Sequence, residues 1–169
     1  MRAEPARDRF MSNVPSSYSI HSRSVEIGGT TITFETGKYA KLISSVVVTS
    51  RDSMVLCTAG VTSTATTFDF LPLTVDYQDR TGASGTIPGG FMKREGRSSE
   101  RETLASRSID RPLRPMFPKH FRNEMQVITT VMSYDRDAET DVLAICGAAA
   151  AFAISPAPLA EPVAGVRVV

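Results

Sequence analysis

The chain has 169 residues, 41% of them hydrophobic, and a formal net charge of +1; that length and apolar content suit one ordinary core and exclude two full-sized domains. Between Arg80 and Arg122 ten Lys or Arg stand against four Asp or Glu, a local balance of +6 on an otherwise slightly acidic chain. A one-signed patch on a near-neutral scaffold points to a polyanionic partner and away from general solvation.

In chain order, residues 1–23 carry Arg2, Arg7, Arg9 and Arg23 among several serines. This resembles an organellar transit peptide, from which Glu4 and Asp8 depart; a plain disordered tail is the other reading. The domain is expected over residues 24–169. Ser24–Ile27 and Thr31–Phe34 are β-branched runs separated by Gly28-Gly29-Thr30, which predicts a tight hairpin with positive φ at glycine. Ser45–Thr49 and Met54–Thr62, joined through Ser50-Arg51-Asp52-Ser53, predict a second hairpin. Leu71, Leu73, Val75 and Tyr77 alternate with polar residues or proline, the pattern of a half-buried strand. Asp79 to Gly90 is rich in glycine and lacks apolar periodicity, so it is expected as a long exposed loop.

Ser99 and Glu102 form a capping box ahead of an apolar stripe (Leu104, Ala105, Ile109), and Pro112 is expected to stop that helix near Arg111. Arg107 and Arg111 then share a face, with Arg114 just beyond. Met125–Met132 reads as another strand and Asp135–Glu139 as a polar turn. Thr140 is expected to cap a helix that ends at Ser155-Pro156, apolar nearly all round and able to approach a neighbour closely at Gly147. Val163–Val169 reads as a strand without partners, hence as part of a longer fold.

Cys57 and Cys146 are far apart in sequence, each in apolar surroundings, and neither they nor His21 and His120 have metal-ligand spacing. Buried free thiols in a reducing compartment are the expectation, so the chain is not secreted. The apolar run Val142–Ile154 is too short to span a bilayer. No Ser/His/acid set, HExxH or GxxxxGK[ST] loop is present. Asp110, between arginines, reads as their ion-pair partner more simply than as a magnesium ligand. Phe91-Met92-Lys93-Arg94 sets an apolar platform beside cations, as single-stranded nucleic acid requires: bases stack on the ring and cations neutralise phosphates. The competing reading buries Phe91 and leaves the cations solvated.

Four motifs carry a family likeness: FLPLTVDYQ (Phe70–Gln78), GTIPGGF (Gly85–Phe91), REGR (Arg94–Arg97) and IDRPLRPMFP (Ile109–Pro118). With Glu26–Gly29, Phe34–Lys38 and Pro162–Val168 they resemble the first ribonuclease PH-type core of the polynucleotide phosphorylases, over Val25–Val169. The resemblance implies an α+β, ribonuclease PH-like (S5 domain 2-like) fold, a mixed sheet with antiparallel hairpins packed on helices, within a homotrimeric ring around a channel. It implies phosphorolysis of single-stranded RNA from the 3′ end, with inorganic phosphate as co-substrate and Mg²⁺ as cofactor. Carried over position by position, it implies RNA contact at Phe91, Lys93, Arg94, Arg97, Arg107, Arg111 and Arg114.

Two departures stand out. The family's two aromatics and two arginines are here Phe-Met-Lys-Arg, with one ring and one guanidinium fewer. The family's glycine in the segment matching Ser50–Ser53 is absent, which predicts a distorted turn. The family's phosphate-binding serines and metal-binding aspartates belong to its second core, downstream of Val169, so no catalytic or metal-binding residue is expected in this incomplete domain. The alternative is a non-catalytic RNA-binding or assembly subunit of an exosome-like ring; a self-contained ribonuclease PH is a third. Cytoplasm or an organellar matrix is the expected location, without membrane insertion.

Overall fold

A computed structural model describes residues 19–87, 89–90, 96–135 and 139–168. Six strands form one mixed sheet: β1 (His21–Ile27), β2 (Thr30–Thr36), β3 (Ser44–Ser50), β4 (Ser53–Ala65), β5 (Leu73–Asp79) and β6 (Asn123–Ser133), in the order β1-β2-β3-β4-β6-β5. All neighbours are antiparallel except β5 and β6, which run parallel. A parallel pair needs a crossover, and here it is helix α1 (Glu100–Leu113); the second helix, α2 (Thr140–Ala153), follows β6. Strand β1 begins three residues ahead of the expected domain boundary.

Both expected hairpins form. Gly28 and Gly29 take φ of 58° and 76° between Ile27 and Thr30, the left-handed pair that matches strand twist in a two-residue turn. The second hairpin closes in regular register, Ser50 opposite Ser53 and Thr49 opposite Met54. Its irregularity is confined to Arg51, a non-glycine residue at φ 51°.

One face of the sheet is the core. Val48, Val55, Cys57, Met125, Val127 and Val131 are fully buried, and β-sheet register aligns them with Leu73 and Tyr77 of β5. Helix α2 lies on β3 and β4, helix α1 on β5, and the two helices touch. Gly147 explains the close approach of α2: a Cβ there would lie 2.4 Å from Cys57 Sγ and 2.8 Å from Val48 Cγ2. Phe152 meets Phe117 edge to face, with ring centroids 5.0 Å apart.

Four expectations need correction. The N-cap of α2 is Glu139, and Thr140 is its first helical residue, buried with its hydroxyl 2.8 Å from the Tyr77 hydroxyl. A threonine drawn inward to satisfy a buried phenol cannot serve as a cap. Helix α1 runs through Pro112 to Leu113 and then tightens into a 3-10 turn at Arg114–Met116; burial of Leu113 holds the last turn against the loss of one amide donor. The stretch after Asp79 is not wholly loop: Thr81–Ser84 is a 3-10 turn whose Ala83 carbonyl accepts from Tyr134 N at 3.1 Å. Residues 163–168 join no sheet. They lie along α2, where Gly165 N donates to Cys146 Sγ at 3.4 Å and the Arg167 guanidinium pairs with Glu139 and Asp141, each at 2.6 Å.

Burial and the nearby Cys146 push the Cys57 thiol well above the ordinary thiol range, which makes it inert at neutral pH. Cys146 is partly buried, and both thiols are free. No helix among the described residues is long and apolar enough to cross a membrane.

Candidate nucleic-acid interface

Among the described residues strand β5 is an edge of the sheet, so one side of its backbone has no strand to bond. Side chains of α1 take that place. Glu102, Ser106, Asp110 and Arg114 recur every fourth residue and therefore form one stripe along the helix. Tyr77 N donates to Ser106 Oγ at 2.9 Å, and Asp79 N to Glu102 Oε1 at 2.9 Å. At the other end Arg114 donates from Nη1 to Leu71 O and from Nη2 to Leu73 O, both at 3.0 Å. Asp110 orients that guanidinium by accepting from Nε at 3.1 Å and Nη2 at 2.8 Å. The edge is thus covered by side chains, which satisfies its polar groups and blocks pairing with a foreign strand.

Glu102 does two things at once. Its other carboxylate oxygen accepts from Ser99 N at 2.6 Å, while Ser99 Oγ accepts from Glu102 N at 3.2 Å, completing the capping box. Partial burial works against its charge, but the amides of Ser99 and Asp79 and the Ser99 side chain outweigh this and hold its carboxyl below the usual range. The same box that starts the helix therefore fastens it to the end of β5. Tyr77, on the strand between these fastenings, is pushed up to about 12 by burial, with Thr140 acting in the opposite direction.

One position on from this stripe the helix faces water. Arg107 and Arg111 are exposed, one turn or about 6 Å apart along the axis, and neither makes an ion pair or hydrogen bond among the described residues. Arg97, ahead of the cap, is exposed as well. The residues expected to contact RNA therefore separate. Arg97, Arg107 and Arg111 present cations to solvent; Arg114 has four of its five N–H donors engaged within the chain. Phe91, Lys93 and Arg94 lie outside the described residues. The expected pairing of Asp110 with an arginine is present, and Arg114 is the partner. The four-residue period of the clamp was present in the sequence, but its members have mixed chemistry and no apolar periodicity picks them out.

Four carboxylates that could hold a divalent cation are committed elsewhere. Asp79 pairs with Arg101 at 3.7 Å, Asp110 with Arg114, and Glu139 and Asp141 with Arg167 across an open groove of about 550 Å³ beside α1. Among the described residues no cluster of three His, Cys, Asp or Glu converges as a metal site. The described residues do not fit a Mg²⁺ ion.

The sequence model described as "3′ exoribonuclease family, domain 1" matches residues 29–158. The chain belongs to the 3′ exoribonuclease family. Within this family it is similar to the polyribonucleotide nucleotidyltransferases of Desulforamulus reducens, 53% identical over 147 residues, and Geobacter sulfurreducens, 53% over 150 residues. The matches cover 86% and 88% of this chain but 20% and 22% of those proteins, so it spans about a fifth of its relatives' length. The relative from Magnetococcus marinus is 51% identical over 153 residues, 89% of this chain and 22% of its own. Among solved structures, the crystal structure of rice Rrp46 superposes with a TM-score of 0.54 at 14% identity, covering 89% of this chain and 62% of that one. That likeness carries the fold alone, and it agrees with the mixed six-stranded, ribonuclease PH-like sheet of this family member.

Proposed function

We propose that this chain is the RNA-guiding first core of a polyribonucleotide nucleotidyltransferase, an enzyme that shortens RNA from its 3′ end. In that reaction an oxygen of inorganic phosphate attacks the phosphorus of the terminal phosphodiester. The bond to the 3′ oxygen of the penultimate nucleotide breaks, a nucleoside 5′-diphosphate leaves, and the shortened strand takes up a proton at its new 3′ hydroxyl. The part played here is to hold the strand: Arg97, Arg107 and Arg111 neutralise its phosphates, with Phe91, Lys93 and Arg94 contributing from the preceding loop. Arg114 acts through position, fixing α1 against β5 so that the exposed arginines keep their spacing. The groups that bind phosphate and Mg²⁺ lie outside these residues, and further copies complete a trimeric ring. Two free thiols, one of them buried, suit a reducing compartment, cytoplasm or organellar matrix.

The observation that carries this reading is the pair Arg107 and Arg111, left exposed on a helix whose adjacent Asp110 and Arg114 are engaged with each other and with β5. Titrating a labelled oligoadenylate at several salt concentrations tests it. The combined Arg97→Ala, Arg107→Ala and Arg111→Ala variant is expected to bind more weakly, and its log K against log salt to flatten by about 0.7 per lost phosphate contact, with an unchanged melting temperature. Wild-type affinity in that variant at low salt removes these side chains from the contact set. Separately, poly(A) with phosphate and Mg²⁺ is expected to yield no ADP from this chain alone; ADP release would place a working active site within it.

A further inference from the structure

The loop between β4 and β5 carries two phenylalanines that the arginine row does not use. Phe68 and Phe70 stack on each other, with centroids 5.2 Å apart and ring planes 20° from parallel. They are 53% and 61% exposed. Rings packed face to face inside a core would be hidden; here each has spent one face on the other and left the opposite face to water.

A second loop is tied to this one. Arg122 O accepts from both the amide and the hydroxyl of Thr66, each at 2.9 Å, and the Arg122 guanidinium lies 3.6 Å from Asp69 while also donating to the carbonyls of Lys119 and Phe121. The segment behind it, residues 111–122, holds Arg111, Arg114, Lys119 and Arg122 and no acid. Lys119 and His120 are exposed. Arg114 bonds the Leu71 carbonyl, next to Phe70, so this surface adjoins the C-terminal end of α1 and continues from the row Arg107–Arg111.

We propose that Phe68 and Phe70, with Lys119 from the adjoining loop, form a second contact for single-stranded RNA, in which bases stack on the outer ring faces and the lysine neutralises a phosphate. Asp69 balances Arg122, which leaves the charge of Lys119; planar apolar faces near that cation match a polynucleotide, which offers a π-face and a negative charge at every residue. A protein partner of ordinary composition would satisfy the rings but not the charge. The choice of RNA over DNA rests on the function proposed above; the stacking contact itself does not depend on the arginine row.

The test measures binding of a labelled oligoadenylate and of a length-matched abasic ribose-phosphate chain to the whole 169-residue protein. The double variant Phe68→Leu, Phe70→Leu is expected to lose at least roughly fivefold in affinity for oligoadenylate, to bind the abasic chain as wild type does, and to keep its salt dependence. Lys119→Ala is expected to weaken both ligands and flatten the salt slope. Both variants should melt with the wild type, since the changed side chains are exposed. Undiminished oligoadenylate binding by the Phe variant overturns the proposal, as does an equal loss on both ligands. Loss of self-association in sedimentation without loss of RNA makes the rings a protein interface, and also overturns it. If the arginine variant fails to bind while the Phe variant binds, only the stacking contact is rejected; the reverse pattern rejects the row and keeps the rings. A wild-type chain that retains no RNA rejects both.

Discussion

Gly147→Ala is the most demanding test of how α2 meets the sheet. In an exposed helix this change gains about 1 kcal/mol from helix propensity. Here the new methyl carbon would sit 2.4 Å from Cys57 Sγ and 2.8 Å from Val48 Cγ2, where non-bonded atoms prefer about 3.5–4.0 Å. Neither side can yield freely, because Gly147 is mid-helix and Cys57 lies on β4, paired on both sides. Overpacking of this kind costs up to about 3 kcal/mol, so the net destabilisation is about 2 kcal/mol, or roughly 4–8 °C in Tm for a domain of this size. A double-mutant cycle with Cys57→Ala, followed by thermal and urea unfolding, identifies the cause: removing the sulfur relieves the nearer clash, so the combined loss is expected to fall short of the two single losses by about 1 kcal/mol or more. A Gly147→Ala protein that melts higher than wild type, or strict additivity with Cys57→Ala, refutes the contact.

Glu102→Gln leaves one carbonyl oxygen for two backbone donors and is expected to cost about 1–2 kcal/mol at neutral pH. Because the folded carboxyl titrates below its unfolded value of roughly 4.3, its contribution is complete above that value and drains as pH falls through the folded one; the Tm gap between variant and wild type should therefore close in acid, and a gap independent of pH refutes the assignment. Arg51→Gly removes a side chain from a left-handed position, where it costs roughly 1–2 kcal/mol, against greater freedom in the unfolded glycine chain; a net gain of about 0.5 kcal/mol in urea unfolding is expected, and a loss would show that the Arg51 side chain stabilises the turn.

Local signals in the sequence carried the elements well. The Gly28-Gly29 turn, the alternation through Tyr77, the Ser99/Glu102 box and the small-residue face around Gly147 each state a conformation within a few residues, and each is found where expected. Failures came where a long-range partner competed. Thr140 has every property of a cap until Tyr77 places a phenol beside it. Pro112 reads as a stop until Leu113 finds a buried site. Val163–Val168 has strand composition, yet Gly165 and Arg167 bind to α2 and the segment never reaches the sheet. The candidate interface divides in the same way: exposure of Arg107 and Arg111 follows from helix period alone, whereas the inward turn of Arg114 depends on β5 being an edge, which no local pattern reveals.

That inward turn bears on how this surface is to be mapped by mutagenesis. A scan that replaces each cation in IDRPLRP with alanine would record Arg114 as a hit, because uncovering the Leu71 and Leu73 carbonyls loosens the C-terminal end of the helix from its strand and displaces the charges it carries there. Retention on a filter would drop just as it does when a true contact is deleted. Only a readout of folding taken alongside, such as the melting temperature, tells the fastener from the finger.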